Sequence, residues 1–559
     1  MIGVLCTPQE RRIVSEFFEL FKTPWAFFEE GGTYDILFVT TGDVPGSPPP
    51  VCLVFDSGSI PGDPSSSSDQ QLTDDVWIRY ADIQLPLYGK VLTFDPAEKI
   101  VAEIEGSGQA VGIEYISNNR KMLRFGYDLL GEVEFLLSNG QPDKNAAVPT
   151  LDLHIALLRE WILAAGVPVV EIPPCPAGHP FIGCLTHDVD FISVRQHMLD
   201  HTILGFLYRA SIGSLFRFLR GHLSAGQLLR NWLSVFALPL VHLGLCRDFW
   251  FQFEGYRRIE GDGRSTFFVL PFRGRSGEKV TMDNPERRAA RYDITDIQEQ
   301  VSELTEAGFE IGLHGIDAWH SKEHAHEEKE RIGSVAGNNG TIGVRMHWLC
   351  FGQETFEILD RAGFLYDSSI GYNRTIGFRA GTAQVFRPLS SEQLLELPMH
   401  IQDVALFYPG ALDLSEGEAR DACSKITALA CRNGGVITTI WHMRSIAPER
   451  LWDGFYIRLL EDMGSKGGWL TTAGDGVQWF MKRRALVFEE VNLNSETLRV
   501  NYRIDRKDQS GKQLLLRVYL PQKEGSTEGG GRYECVEVPL EEDRQELILP
   551  LIPSDRRPS

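Results

Sequence analysis

The sequence predicts an α/β protein whose largest part alternates strands with helices. Seven apolar runs of strand length occur between residues 182 and 472, and helical stretches at 294–307 and 353–362 help to separate them. Strands that alternate with helices pair in parallel, so the pattern predicts a parallel barrel or an open parallel sheet. The seven runs are residues 182–185, 266–270, 309–313, 342–344, 394–397, 436–440 and 469–472.

Smaller regions flank this central part, because 559 residues are enough for several domains. The first region combines short apolar runs with a helical stretch at 10–21, which predicts a small α/β domain. It contains no phosphate loop and no G-x-G-x-x-G pattern. We expect a scaffolding role, with a binding role as the alternative. The last region contains five strand-like runs and predicts a small all-β module that either packs or binds carbohydrate. The predicted domains are residues 1–115 (small α/β), 116–174 (helical connector), 175–485 (central, with a helical insertion at 200–247) and 486–559 (all-β).

Composition narrows the class of protein. Hydrophobic residues make up 43% of the chain and charged residues 23%, which is typical of a globular protein. A net charge of -21 argues against nucleic acid as a partner, because neutralising phosphates requires a basic surface. The 9 cysteines are unpatterned, which indicates reduced thiols. With no signal-peptide pattern at the start and no long apolar span, we expect a cytoplasmic location.

Two acidic residues and two histidines follow apolar runs of the central part. Asp188 and Asp190 alternate with their neighbours after the run at 182–185, so both side chains point to the same side of an extended chain. Two carboxylates so close together repel each other unless a cation or a shared proton lies between them. His314 and His320 follow the run at 309–313. One carboxylate and two imidazoles predict an open divalent-metal site, which leaves the other carboxylate free to act as a base.

These segments and three later ones resemble the NodB-type polysaccharide deacetylases of carbohydrate esterase family four. The similarity covers roughly residues 175 to 485 and consists of five short motifs in the order of that family. They are Thr186-His187-Asp188-Val189-Asp190, Leu313-His314 through Trp319-His320, Gly343-Val344-Arg345-Met346-His347-Trp348, Leu397-Pro398 and Ile440-Trp441-His442. Of the two architectures left open above, the resemblance implies the distorted (β/α) barrel. The N-terminal region in turn resembles the uncharacterised α/β domain that often precedes this kind of deacetylase.

The resemblance also implies roles for particular residues. Asp188 would be the general base, paired with Arg345, and His442 the general acid, oriented by Asp403. Asp190 and His314 would bind one divalent metal ion, for which zinc is favoured and cobalt, nickel or manganese are alternatives.

The second histidine ligand departs from the family pattern. The family spaces its pair i, i+4, but Ala318 occupies that position here and His320 comes at i+6. We predict His320 as the third ligand, with His324 and His326 as alternatives. For substrate contacts we predict Trp348, His347, Arg379 and Asp403.

The predicted activity is metal-dependent removal of N-acetyl groups from an amino sugar of a glycan, a hydrolysis of C–N bonds other than peptide bonds. Two alternatives remain open. The first is O-deacylation of a glycan ester by the same machinery. The second is a non-catalytic protein of polysaccharide assembly with a degenerate site.

The insertion is strongly apolar but interrupted by arginines. Ile212, Phe216 and Leu219 have helical spacing, with Arg217 and Arg220 beside them. We expect residues 203–245 to form helices that flank the mouth of the site, with Arg209, Arg217 and Arg220 near one exposed face. The helices are either a lid packed on the central domain or an interfacial segment in peripheral contact with anionic lipid. The latter would bring the enzyme to a lipid-linked glycan.

Overall fold

The computed structural model of the 559-residue chain describes all residues except 43, 47, 62, 64–65, 68–75, 96–98, 262–263, 279–284, 338–341, 494–496, 507–510, 522–532, 542–544 and 551–559. The chain divides into two compact units. One contains residues 1–177, 380–382 and 478–559, and the other contains residues 178–379 and 383–477.

Among its described residues, the first part of the chain forms a mixed sheet of eleven strands with three α-helices. The main strand order is β2-β1-β3-β4-β11-β10-β9-β6-β7, with β8 beside β10 and β5 beside β8. The sheet continues to Phe125, past the predicted domain end at residue 115. The elements are β1 (Ile2–Leu5), α1 (Arg11–Phe21), β2 (Trp25–Phe27), β3 (Ile36–Val39), β4 (Val51–Phe55), β5 (Ser66–Ser67), β6 (Val76–Tyr80), β7 (Ile83–Leu87), β8 (Thr93–Phe94), β9 (Lys99–Ile104), β10 (Ala110–Ser117), β11 (Arg120–Phe125), α2 (Leu129–Ser138), α3 (Thr150–Ala164) and β12 (Val169–Glu171).

The second unit is built around a parallel sheet, as the alternation predicts. Its strands are β13 (Ile182–Val189), β14 (Thr266–Val269), β15 (Glu310–Gly315), β16 (Gly343–Met346), β17 (Tyr366–Asp367), β18 (Leu395–Glu396), β19 (Ile401–Gln402), β20 (Val436–Ile440) and β21 (Trp469–Thr471). Its order is β18-β17-β16-β15-β14-β13-β20-β19, with β21 also against β13, and each of these pairs is parallel. Within the described residues the two outer strands, β18 and β19, do not pair with each other. The sheet is therefore open, which is compatible with an incomplete (β/α) barrel.

Helices connect these strands and fill the insertion. They are α4 (His201–Tyr208), α5 (Ser214–Leu219), α6 (Ala225–His242), α7 (Phe253–Glu260), α8 (Gln298–Glu306), α9 (Lys322–Ala336), α10 (Thr355–Arg361), α11 (Asp403–Phe407), α12 (Glu416–Asn433), α13 (Asp453–Ser465) and α14 (Ala473–Arg484). A π-helical turn at Arg209–Gly213 joins α4 to α5, so the insertion is helical as expected. No helix among the described residues combines the length and the apolar character needed to cross a membrane.

The last five strands do not form one separate sheet. They are β22 (Leu486–Leu493), β23 (Thr497–Ile504), β24 (Leu515–Pro521), β25 (Tyr533–Pro539) and β26 (Glu546–Pro550). Three of them form an antiparallel sheet in the order β22-β23-β26, whereas β24 and β25 extend β12. The β-rich character of this region agrees with the sequence, but two of its strands join a strand from residues 169–171. All nine cysteines are free thiols, as their scattered positions predict.

Candidate active site

The polar motifs of the sequence meet at the carboxyl ends of parallel strands. Asp188 is the second-to-last residue of β13, and Asp190 directly follows the strand. His314 on β15 and Arg345 on β16 are paired in register. His442 follows β20. Because parallel strands present their carboxyl ends at one edge, this arrangement concentrates the side chains in one place.

Asp190, His314 and His347 form a group that can hold a metal ion. Their ligand atoms all lie within 4.8 Å of one another. The Oδ1 of Asp190 is 3.2 Å from Nε2 of His314 and 3.4 Å from Nε2 of His347. That oxygen is buried and has no hydrogen-bond donor. A buried carboxylate oxygen facing two imidazole nitrogens is a set of donors that suits a divalent ion.

The protonation of the two imidazoles supports the same interpretation. Nδ1 of His314 donates a hydrogen bond to the carbonyl oxygen of Arg345 at 3.0 Å, since a carbonyl can only accept. Nδ1 therefore carries a proton and Nε2 faces Asp190, which is the orientation of metal-binding histidines held by a backbone carbonyl. Burial lowers the pKa of His347 to about 3, so its ring is neutral and able to bind a cation.

The structure places His320 away from this group. Its Nε2 lies 3.1 Å from Oδ1 of Asp317, and it belongs to a separate group with Glu278 and His324. His326 is exposed on α9. The second imidazole beside Asp190, and so the third member of the group, is therefore His347, which we predicted as a substrate contact, rather than His320. The reason is topological: β16 runs beside β15, so the residue after its end faces the strand-end carboxylate, whereas the chain after Gly315 leaves the sheet.

Asp188 is held by Arg345. Nη1 of Arg345 donates to Oδ1 of Asp188 at 2.9 Å and to Oγ1 of Thr186 at 2.7 Å. The guanidinium is fully buried, and Ser368 accepts its Nε hydrogen through the backbone carbonyl and its Nη2 hydrogen through Oγ. Burial opposes ionisation of Asp188, but the Arg345 charge holds the pKa of this carboxyl below its usual value. Asp188 is thus an ionised carboxylate with a fixed orientation.

His442 is held by Asp403. Nδ1 of His442 lies 2.7 Å from Oδ1 of Asp403, and the backbone N–H of His442 donates to Oδ2 at 2.7 Å. Burial opposes the charged form of this imidazole, yet the Asp403 carboxylate outweighs it and raises the pKa of His442 to about 9. Nε2 of His442 is 3.9 Å from Oδ2 of Asp190, so the proton on that side faces the metal-binding group.

Asp188, Asp190, His314, His347 and His442 line one cavity of about 270 Å³. Of the predicted substrate contacts, Trp348 and His347 belong to its wall, whereas Arg379 and Asp403 do not. Nη1 of Arg379 donates to the carbonyl of Gly371 at 2.8 Å, and Asp403 is fully buried against His442. Trp348 and Leu349 have left-handed backbone angles, φ 62° and 53°. Two such non-glycine residues in a row cost on the order of 1–3 kcal/mol each. This turn positions the residues that follow β16 over the cavity.

Other residues that line or support the site had no role predicted from the sequence. Thr186 and Ser368 orient Arg345, and Tyr256 donates through its hydroxyl to the carbonyl of His442 at 2.7 Å. Residues that line the cavity but were not predicted include Asn373, Gln402, Tyr408, Arg444 and Arg450. His187 points to the other side of β13, as strand alternation predicts, and its two ring nitrogens contact the carbonyl of Trp441 and the carboxylate of Glu260.

Comparison with known proteins gives distant structural matches only. No protein-family model matches the chain, and neither does any curated protein. A protein described as a polysaccharide deacetylase from Mycobacterium smegmatis is 18% identical with a TM-score of 0.33, over 55% of this chain and 94% of that one. An allantoinase is 14% identical with a TM-score of 0.33, over 55% and 92%. A protein described as a polysaccharide deacetylase from Pseudomonas aeruginosa PAO1 is 13% identical with a TM-score of 0.33, over 55% and 93%. We therefore base the function on the site geometry.

Proposed function

We propose that this protein is a metal-dependent hydrolase that removes N-acetyl groups from an amino sugar of a glycan. The proposal is supported by one observation: three groups of side chains meet at one cavity. They are the metal-binding group of Asp190, His314 and His347, the Asp188–Arg345 pair, and the His442–Asp403 pair. Together these supply a cation site, an ionised carboxylate and a charged imidazole.

Each pair has a role in amide hydrolysis that follows from its protonation state. A divalent ion bound by Asp190, His314 and His347 would polarise the acyl carbonyl and lower the pKa of a water molecule. Asp188 accepts the proton of the attacking water, and Arg345 keeps its carboxylate ionised and correctly oriented. His442, charged because of Asp403, delivers its Nε2 proton to the departing amine as the C–N bond breaks. The products are acetate and the free amino sugar.

Zinc is the metal we propose, because a site of one carboxylate and two imidazoles suits it. Cobalt, nickel and manganese are tested in the same experiment. Metal-free protein is reconstituted with each ion, and acetate release is measured from an N-acetylated chito-oligosaccharide and, side by side, from an O-acetylated sugar.

The proposal predicts acetate release from the amide that requires the metal. Asp188→Asn should lose this turnover and keep the metal, because an amide has the same shape but cannot accept the proton. Turnover of the ester alone would replace N-deacetylation with O-deacylation. Metal-loaded protein that releases acetate from neither substrate would overturn the proposal in favour of a non-catalytic protein.

We also propose that the helical insertion touches an anionic lipid surface. Fourteen of the 25 exposed large hydrophobic side chains among the described residues lie between Leu204 and Leu245. Residues 203–245 contain four arginines and no acidic residue, in a chain whose net charge is -21. Arg230 lies 3.8 Å from Asp453, whereas Arg220 is exposed. Exposed apolar side chains beside positive charge favour the interface of a membrane with anionic headgroups. The insertion does not line the candidate catalytic cavity.

A further inference from the structure

A second cavity of about 360 Å³ lies beside the candidate catalytic cavity and is rich in arginine. Arg209, Arg217, Arg220 and Arg450 line it, against two carboxylates, Asp413 and Glu449. The wall also contains five aromatic side chains, Tyr208, Phe216, Phe407, Tyr408 and Trp452. Its size falls within the usual range for small-molecule sites.

The arginines of this cavity are incompletely paired. The Nε atoms of Arg209, Arg217 and Arg450 are buried and have no hydrogen-bond partner. In the part of the chain that the structure describes, neither Arg209 nor Arg217 forms an ion pair with a carboxylate. Of the two acids in the wall, Glu449 is already engaged by Arg444 at 3.2 Å and by the indole of Trp250 at 2.9 Å. Buried donors without partners require an explanation, because leaving them unsatisfied costs free energy.

Arg209 and Arg450 also repel each other, and both repel the neighbouring Arg444, whereas Asp413 and Glu416 attract Arg217. Burial lowers the pKa of Arg209, and the charge of Arg450 lowers it further. Burial lowers the pKa of Arg217 as well, and that of Arg444 to about 9, with Arg450 and Arg209 adding to the effect on Arg444. Positive charges that are desolvated and crowded together are stabilised by an anion placed between them.

A phosphate group suits these donors. Guanidinium groups present a planar fork of N–H donors that bind two oxygens of a phosphate at once. A phosphate or diphosphate carries enough oxygens and charge to satisfy several arginines together.

The two cavities share a wall, since Tyr408 and Arg450 line both of them. A single molecule with an acylated amine near Asp190 and an anionic group beyond Tyr408 would fill both. We propose that the arginine cavity binds the phosphate or diphosphate of the substrate, so that the substrate is an amino sugar linked to a phosphate. The assignment of the substrate as an amino sugar rests on the proposed function, whereas phosphate binding by the arginine cavity does not depend on that function.

Binding of pyrophosphate to the full chain tests the cavity directly. Isothermal titration should show saturable binding to the wild type, a loss of about tenfold or more in the double variant Arg209→Gln, Arg217→Gln, and no change in Arg361→Gln. Arg361 is an exposed helix arginine of the same unit, so its variant removes one equal charge elsewhere. Absence of saturable binding to the wild type would overturn the proposal. So would equal binding to the double variant, which is the result expected if pyrophosphate only met the metal centre.

Turnover then tests the link to catalysis. N-acetylglucosamine 1-phosphate should have a lower KM than an unphosphorylated N-acetylated sugar, and the double arginine variant should remove most of that difference. An equal preference in wild type and variant would overturn the substrate assignment. If pyrophosphate binds as expected but neither sugar is turned over, the proposed function fails and the anion site stands.

The phosphate could belong to a soluble sugar or to a lipid carrier. The sugar 1-phosphate in solution and a polyprenyl diphosphate-linked N-acetylglucosamine in detergent micelles present the same chemistry from these two sources. The substrate with the higher kcat/KM identifies whether the phosphate belongs to a soluble sugar or to a lipid carrier. Turnover of both with no dependence on Arg209 and Arg217 would contradict phosphate recognition by this cavity.

Discussion

Nη1 of Arg345 donates to Oδ1 of Asp188 at 2.9 Å, and this contact fixes one oxygen of the carboxylate. The other oxygen, Oδ2, lies 3.8 Å from Nε2 of His314, on the side of the metal-binding group. The pair therefore separates two tasks within one carboxyl group. Oδ1 is held by Arg345, which fixes the orientation of the carboxylate and keeps it ionised. Oδ2 faces the position where a water proton would be released.

Arg345→Lys should lower kcat by about 10²–10³ while leaving metal content unchanged. The lysine keeps a positive charge, but it cannot donate at once to Asp188, Thr186 and Ser368, so the base loses its fixed angle. Steady-state kinetics together with elemental analysis of the purified variant measure both quantities. Wild-type kcat in this variant would show that Arg345 does not orient the base.

The metal content of two variants distinguishes His347 from His320 as the third metal ligand. His347→Ala should reduce the metal content to a small fraction of one ion per chain, because it removes one of three ligands. His320→Ala is the matched control and should retain the metal, since His320 contacts Asp317 instead. Elemental analysis after dialysis provides the readout. Retention of metal in His347→Ala with loss in His320→Ala would restore the ligand set predicted from the sequence.

The contact between His442, the proposed general acid, and Asp403 predicts a shift in the pH dependence of activity. The general acid must be protonated, so activity falls as the pH rises through the pKa of His442, which Asp403 raises to about 9. Asp403→Asn removes that negative charge, so the alkaline limb of the kcat profile should move to lower pH, by about one unit or more. Kinetics between pH 6 and pH 10, with thermal unfolding as a check on folding, measure the shift. An unmoved alkaline limb would assign it to a different group.

Glu132, in the first unit, makes stability depend on pH. Its carboxylate accepts hydrogen bonds from the backbone N–H groups of Tyr88 and Gly89, yet burial dominates and raises the pKa of Glu132 to about 7. The folded state therefore holds this proton more tightly than the unfolded state. The stabilisation is complete below the unfolded pKa of about 4.5 and is lost as the pH rises through 7. Its full size is on the order of 3 kcal/mol.

Glu132→Gln should therefore unfold with a weaker decline in midpoint temperature between pH 5 and pH 8 than the wild type. Glu134→Gln, an exposed position on the same helix, is the matched control and should follow the wild type. Thermal unfolding of the full chain at several pH values gives the comparison. Identical pH dependence in wild type and Glu132→Gln would show that Glu132 is ionised throughout.

The sequence predicted the elements that carry the site because their signals are local. Apolar runs located β13, β15 and β20, and strand alternation placed Asp188 and Asp190 on one side. Of these three strands, two extend beyond their predicted ends: β13 reaches Val189 and β15 reaches Gly315. In both, polar residues continue the ladder because they are buried at the site, whereas an apolar pattern ends where they begin.

What the sequence did not predict depends on contacts between distant segments. His347 rather than His320 lies beside Asp190 because β16 pairs with β15. The spacing of residues along the chain gives no information about this pairing. Likewise, Arg217 and Arg450 are more than two hundred residues apart in the chain, but they line one cavity. We expected Arg209, Arg217 and Arg220 together on an exposed face. The structure leaves Arg220 exposed and turns the half-buried Arg209 and Arg217 into that cavity.

The exposed apolar residues of the insertion give the last prediction. The protein should sediment with vesicles that contain anionic lipid, less with purely zwitterionic vesicles, and less again as salt rises, because screening weakens the attraction of Arg220 and Arg230 to the headgroups. Phe236→Ser should weaken binding further, since this side chain is 77% exposed on α6. Ile116→Ser removes an equally apolar side chain, 67% exposed, from the first unit and should bind as the wild type does. Equal binding to neutral and anionic vesicles, or none to either, would rule out the lipid surface and leave the insertion as a helical lid.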